Sequence, residues 1–568
     1  MAVALAISIP AAAAEAAPGD LTFAACLGSL VGCPGVNPAG ITSGVSAVAV
    51  SPGGSGLYIG GAGLSHLVFD GSGNLGFESC IGSVSGCTPP SVSGVLDGVH
   101  GIAVSADGKQ LYAASWGGNA IAHFTLDAAG KPTFAGCIGK HTGCSVPAVP
   151  DAFEGLERVA VSADGKHLYA AAPFRPNPAP VFGGQAVSYF TLDAAGVPTF
   201  GGCVGARAGC TPVPSYAKAL EGARNLVLSG DGKHLYVASG PGNLTDDSNT
   251  VSHFTLDAAG TPTFERCIGN HTGCIVPSPA GAVFAADGIG LNRDGTRLYV
   301  GANTGIAYFT IDGSGVPTYA GCVADLTGCA PTPTGLLFGA FDVELSPDGK
   351  HLYAAGYGSS AIVHFVLDAA GTPTLASCNG SRPGCAPTVP PAAGDYPLDL
   401  AVTPDGGRLY SAMQIAGVID RFDIEQPPTP APPAPPAPAP DRTPPTLSGS
   451  ALSRTTFAAA SKGASFVTAA ATKRVKVGTT VRFILSEKAT ITFRVEKRGR
   501  TGRYKALKGS SARAAKQGRN SVRFNGRWRG RPLAPGRYRL VLTARDAAAN
   551  TSRAKRLAFR IVKRARAA

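Results

Sequence analysis

The chain has 568 residues, a net charge of +13, 76 glycines, 45 prolines and only 7% aromatic residues. That length exceeds one ordinary core, and so much Gly and Pro beside so few aromatics points to short strands joined by tight turns. No internal run of about 18 apolar residues offers a membrane-spanning helix, and G-x-S-x-G, H-E-x-x-H, Walker and complete EF-hand motifs are absent, which removes the enzyme and metal-protein classes they mark.

Residues 1–20, MAVALAISIPAAAAEAAPGD, are apolar and alanine-rich with A-x-A-like options near Ala14 to Ala17, the pattern of a signal peptide without its basic start. An exported, cell-surface or secreted protein is expected. The cysteines agree. They fall as Cys26 with Cys33, Cys80 with Cys87, Cys137 with Cys144, Cys203 with Cys210, Cys267 with Cys274, Cys322 with Cys329, and Cys378 with Cys385, all C-x6-C pairs with none left over. Constant local spacing argues for one disulfide per repeat in an oxidising compartment. Zinc is disfavoured because its cysteines usually lie closer in sequence and no histidine recurs at ligand spacing beside these pairs. No metal and no cofactor is expected.

First cysteines of successive pairs are 54, 57, 66, 64, 55 and 56 residues apart, a repeat period. One unit, 99–139, reads as four short strands: GIAVS, QLYAAS, AIAHFTLD and PTFAGCIG. An Asp-Gly-Lys turn joins the first two, and Ala-Ala-Gly-Lys-Pro joins the last two. Copies of the first hairpin recur at 45, 156, 223, 287, 341 and 398. The seventh unit stops after its third strand, VIDRFDIE (418–425), whereas the chain begins with an orphan fourth strand, LTFAACLGSLVGC (21–33). The expected fold over 21–425 is therefore all-β, a seven-bladed β-propeller closed by its own N-terminal strand, which hides sheet edges that an open solenoid would expose.

The S-x-D-G-K-x-L-Y-x-A repeat resembles the lactonase-like and YncE-like superfamily of seven-bladed propellers. That resemblance implies the fold; some members hydrolyse sugar lactones and many others are binding proteins.

Between the repeats, turns on one face are monotonous (DGK, DGT, DGG), whereas connections on the other face vary freely and include the long loops 172–185 and 239–250. Variable loops on a rigid scaffold are where binding residues are carried. Around the central channel, His100, Glu157, Arg158, Arg224, Asp287, Asp342 and Asp399 precede or open the innermost strands, and Glu344 lies among otherwise small channel positions. Together they fit a site for a polar ligand or a cation, or a general base for lactone opening. Glu344 is equally consistent with a hydrated acid paired to Arg158 or Arg224. His66, His123, His253 and His364 recur on third strands where Tyr189, Tyr308 and Arg421 replace them, so packing between blades is expected of them. Asp70, Ser72 and Asn74 have calcium-like spacing without the distal acid, which reads as a turn. Asn243-Leu-Thr and three similar triplets are glycosylation sequons by pattern only.

Residues 426–445, QPPTPAPPAPPAPAPDRTPP, form a proline-rich linker, an extended spacer of roughly 50–60 Å at about 3 Å per residue. From 446 to 568 there are 31 basic and 3 acidic residues; the rest of the chain holds 18 basic and 33 acidic, so a basic module follows an acidic one. TVRFILSE, TITFRVEK, GRYRLVLTARD and RLAFRIVK alternate as strands do. PGRYRLVLTARDAAANTS (535–552) resembles the closing hairpin of Ig-like modules of exported actinobacterial proteins, with Ala549 in place of the usual glycine, and implies a basic Ig-like β-sandwich. Its expected partner is an anionic envelope polymer or glycan. Nucleic acid is not expected, because no aromatic platform for bases accompanies the charge. The propeller's variable face is expected to take a ligand or protein, and the chain to be monomeric. A binding or scaffold protein is thus the leading expectation, with a lactonase-type hydrolase as the alternative.

Overall fold

A computed structural model describes residues 17–173, 185–214, 219–220, 222–240, 249–427, 441–468 and 477–563. Most of the alanine-rich start, of the two long loops and of the proline-rich linker lies outside them, as does the Asn243 glycosylation sequon. The chain divides into two compact units, Met1–Thr429 and Pro430–Ala568.

In the first unit, seven antiparallel sheets each carry four strands, one of them extended by the two-residue strand Ala330–Pro331. Their innermost strands neighbour one another in a circle. Ala47–Val50 lies beside Val99–Val104, then come Arg158–Val161, Ala223–Leu228, Ile289–Leu291, Ala340–Leu345 and Pro397–Val402, which returns to Ala47–Val50. This closed order is a seven-bladed propeller. Six blades take their strands in chain order. In the last, Leu21–Gly28 from the chain's start pairs antiparallel with Val418–Ile424, Leu21 facing Ile424 and Gly28 facing Val418.

The seven expected disulfides are all formed, one per blade. Cys26 bonds to Cys33, Cys80 to Cys87, Cys137 to Cys144, Cys203 to Cys210, Cys267 to Cys274, Cys322 to Cys329, and Cys378 to Cys385, with Cα atoms 4.7–5.2 Å apart. No free cysteine remains among the described residues. The two halves of each bridge differ in setting. The first cysteine lies on an outermost strand and is buried in six of the seven blades, Cys378 being half-buried. The second, Cys33, Cys87, Cys144, Cys210, Cys274, Cys329 or Cys385, sits half-buried in the loop that follows. Each bridge thus pins a surface loop to its blade's outer strand.

The L-Y-x-A motif acquires its reason here. Second strands are packed on both faces, so their residues are apolar or small, and each contributes one fully buried tyrosine: Tyr58, Tyr112, Tyr169, Tyr236, Tyr299, Tyr353 and Tyr410. A buried phenol needs an acceptor. Each hydroxyl crosses to the next blade and donates to a turn glycine carbonyl at 2.6–3.0 Å: Gly130, Gly196, Gly260, Gly315, Gly371, Gly19 and, closing the circle, Gly73. Burial raises these phenols, to about 12 at Tyr58, Tyr299 and Tyr410, so they stay donors. Four of them stack on a third-strand histidine (His66, His123, His253 or His364) at 4.9–5.2 Å. Those histidines are thus buried against the tyrosines of their own blades, and burial lowers His253 and His364 to about 4.

Gly19 stands where the other blades have an unbroken turn. Its φ of +86° matches the turn glycines, its N–H donates to the Glu425 carbonyl, and the Glu425 N–H donates to the Asp20 carbonyl. Two residues assigned from sequence to the signal peptide thus belong to the propeller. Asp20 reinforces them by accepting from Ser377 Oγ at 2.8 Å and meeting His364 Nδ1 at 3.2 Å.

The second unit is a β-sandwich: a four-stranded and a six-stranded sheet, mostly antiparallel, enclose one apolar core that includes Phe466, Phe483, Phe493, Phe524, Trp528, Leu540 and Phe559. The strand alternation expected from sequence is seen in Gly536–Arg545, where Tyr538, Leu540, Leu542 and Ala544 face inward.

Candidate functional site

One residue from each blade surrounds the mouth of the central channel: Ser46, His100, Glu157, Arg224, Asp287, Phe341 and Leu398. They occupy equivalent positions at the start of the innermost strands, so the propeller brings together side chains spread over some 350 residues of sequence. They line a cavity of 230 Å³, with Arg158, Asn225, Tyr357 and Gln414 completing the wall. The cavity is two-sided. Blades two to five supply a charged arc (His100, Glu157, Arg158, Arg224, Asp287), whereas blades six and seven supply Phe341, Leu398, Tyr357 and Gln414.

Of the sequence-derived candidates, His100, Glu157, Arg158, Arg224 and Asp287 line this cavity; Asp342, Asp399 and Glu344 do not. Asp399 Oδ2 accepts from the Val48 N–H at 2.7 Å, and Asp342 Oδ2 accepts from the Leu400 N–H at 2.9 Å. Each of these carboxyls staples its blade to the next one round the ring. Arg158 reaches across from blade three to Asp399 at 2.9 Å and donates to the His100 carbonyl at 3.2 Å. Burial opposes the Arg158 charge, but Asp399 and Asp342 hold it protonated. Burial, and next the adjoining Asp399 carboxyl, hold Asp342 well above the usual carboxylate range. Glu344 is raised by burial and then by Asp342 and Asp399, and its carboxyl accepts from the Val402 backbone. It faces these acids, and no ion pair with Arg158 or Arg224 forms among the described residues, which corrects the pairing weighed from sequence. The sequence grouping of eight residues therefore separates into a cavity wall and, beneath it, a stapling layer.

Removing Arg158 would leave Asp399 buried and uncompensated. Arg158→Met is expected to cost about 3 kcal/mol in chemical denaturation, and Arg158→Met/Asp399→Asn to recover much of it.

Within the wall, Arg224 lies 3.5 Å from Asp287. Burial pushes Asp287 up to about 7, and Glu157 adds to the push while Arg224 opposes it. The opposite arc is aromatic: Phe341 and Tyr357 have ring centroids 4.8 Å apart, Tyr357 and Tyr396 5.3 Å, and the Tyr357 hydroxyl donates to Gln414 Oε1 at 3.3 Å. Tyr396 holds this place with φ +60°, a costly conformation for a bulky side chain. Trp116 stacks flat on His100 at 5.2 Å. Tyr357, Gln414 and Trp116 escaped the sequence reading because they follow the second strands rather than open the first. An available signal was that, four residues after the second-strand tyrosine, two repeats carry an aromatic (Trp116 and Tyr357) and one a glutamine (Gln414), where others have Ala62, Pro173 or Gly240.

In the second unit, Asp441, Glu487 and Asp546 place three carboxylate oxygens within 4.8 Å of one another, a group of a kind that could hold a metal ion. Asp546 there is already committed to the backbone N–H and side-chain amide of Asn550.

No family model matches the chain, and no curated protein matches it. Solved structures to which it is similar include Kuenenia stuttgartiensis hydrazine synthase, with 14% identity over 69% of this chain and 99% of that one, TM-score 0.45. Another is the periplasmic gluconolactonase of Pseudomonas aeruginosa, with 19% identity over 59% and 84%, TM-score 0.41. A third is the β-propeller domain of Myceliophteria thermophila Cps50 (Swd1), with 12% identity over 67% and 98%, TM-score 0.45.

Proposed function

We propose that the protein is an exported binding protein whose propeller takes a small organic ligand at the channel mouth and whose basic unit associates with an anionic envelope polymer. The observation that carries the first half is the two-sided cavity. A flat apolar body can lie on the Phe341–Tyr357 arc while a polar or cationic group meets Glu157, Arg224 and Asp287. Seven disulfides fit a non-cytoplasmic compartment. The strong basic charge after residue 446 suits an anionic polymer outside the cell.

A thermal-shift screen of small polar metabolites tests the mouth. A ligand at about 100 times its Kd stabilises by about 2.7 kcal/mol. Tyr357→Ala and Glu157→Gln should each abolish the shift, and a hit unaffected by both would place binding elsewhere. A second function is favoured by one group: Asp287, titrating near 7 at the cavity wall, is suited to act as a general base in lactone opening. Turnover on a lactone panel that is lost in Asp287→Asn would establish it, and no turnover on any lactone would end it. Asp342 and Asp399, held as staples, are poorly suited to that role.

A further inference from the structure

The outward face of the six-stranded sheet carries an unusual array. On its three central strands, Ala489–Arg498, Gly536–Arg545 and Lys555–Val562, the outward positions hold Arg494, Arg498, Arg537, Arg539, Arg545, Arg556 and Arg560, and no lysine. Arg537 sits directly opposite Arg560, and Val541 is flanked by Arg556 on one side and Arg494 on the other. Like charges opposed across a ladder destabilise a sheet, so a fold that keeps them bare calls for a counter-charge from outside. The one acid on this face, Glu496, is already bound to Arg539, which also lies 4.2 Å over the Tyr504 ring. Among the described residues no carboxylate pairs with Arg494, Arg537, Arg556 or Arg560. The outward face of the four-stranded sheet is sparser, its central strands offering Arg482, Arg519 and Arg523 between Thr480, Ile484 and Ser521.

We propose that this arginine face is the docking surface for a linear phosphodiester polymer of the cell envelope. The proposal deepens the anionic-polymer half of the proposed function and rests on it. Guanidinium forks match phosphate oxygens in pairs and never lose their charge. Outward residues recur about 7 Å apart along a strand and about 5 Å across strands, so an extended chain with one phosphate per short unit meets a guanidinium at successive steps. Thr490, Thr492 and Thr543 fill the uncharged positions between them, and their hydroxyls can also donate to phosphate oxygens. The face has one aromatic ring, Tyr504, already covered by Arg539, so it offers bases nothing to stack on.

The test uses the full chain, with poly(glycerol phosphate), polygalacturonate and duplex DNA as probes, titrated across a salt series. The face variant is Arg494→Gln/Arg537→Gln/Arg560→Gln. The control, Arg454→Gln/Arg482→Gln/Arg519→Gln, removes the same charge from exposed sites elsewhere in the unit. Expected results are tightest binding to poly(glycerol phosphate) and a loss of about 10- to 100-fold in the face variant alone, with the salt slope reduced by about 2. Without polymer the face variant should melt no lower than wild type, because it relieves repulsion; a lower melting point would show that the array is structural. Equal losses in the two variants would overturn the face while leaving the polymer reading standing. Tighter binding to polygalacturonate would overturn the phosphodiester assignment, and tighter binding to duplex DNA would overturn the envelope polymer as the occupant of this face. No binding of any probe by wild type would remove both the face and the reading beneath it.

Discussion

A chain lacking residues 1–33 is expected to lose roughly 6 kcal/mol of stability in the propeller, about half of what a typical domain possesses. Leu21 and Cys26 are buried in the last blade's core, and Phe23 packs edge-on against Phe422 at 5.6 Å. Burying each large apolar side chain is worth about 1.5–3 kcal/mol. The truncation also strips seven paired residues from Val418–Ile424 and leaves that strand as a bare edge, open to aggregation. It removes the acceptor of Tyr353 and the partner of His364 in the sixth blade as well. A peptide spanning residues 17–33 added in trans should restore much of the melting temperature. Unchanged melting of the truncated chain would mean that the ring does not depend on its clasp. A finer version is Tyr353→Phe, expected to cost about 1–2 kcal/mol because the Gly19 carbonyl loses its buried donor. Gly19→Ala should cost more, since an added Cβ would meet the His351 ring at 2.1 Å and φ is positive.

The opposite sign is expected at Asp420. Its position on the third strand faces the outermost-strand cysteine, and the other six blades place Ser65, Ala122, Ser188, Ser252, Ala307 and Val363 there. Asp420 is fully buried, and neither carboxylate oxygen has a hydrogen-bond partner. Burial, and next the charge of Asp395, hold its carboxyl well above the ordinary value of 3.8. The folded state therefore keeps a proton that the unfolded state releases. Stability is full below about pH 3.8 and declines as pH rises through the folded pKa. Asp420→Ser should stabilise by about 1–3 kcal/mol at neutral pH, the cost of an unpaired buried polar group. The gain should be smaller near pH 4, where the unfolded chain also holds much of its proton and only the unpaired neutral carboxyl remains as a cost. Paired melting curves at pH 4 and pH 7 decide it; a serine variant less stable than wild type at pH 7 would show that the carboxylate has a partner.

The mouth was legible in outline. Because each repeat delivers the same strand position to the channel rim, reading what precedes every innermost strand names one wall residue per blade. What could not be read was depth. Asp399 and Leu398 are adjacent in sequence, yet Leu398 lines the cavity while Asp399 turns to the Val48 N–H of the neighbouring blade. A single step along the backbone separates wall from staple, and only the packed ring decides which side chain goes where.

By itself the sequence determined the repeat, the number of blades, the seven local disulfides, the permuted closure and the change from acidic to basic chain, because each is a matter of spacing, count or alternation along one strand. Only the tertiary structure decided why every repeat keeps a tyrosine, that Gly19 and Asp20 complete a severed turn, that Asp342 and Asp399 fasten blades rather than face a ligand, and that Arg537 opposes Arg560. Those contacts join residues tens to hundreds of positions apart, and their energies come from burial and from hydrogen bonds across a ring, which no local pattern of residue types records.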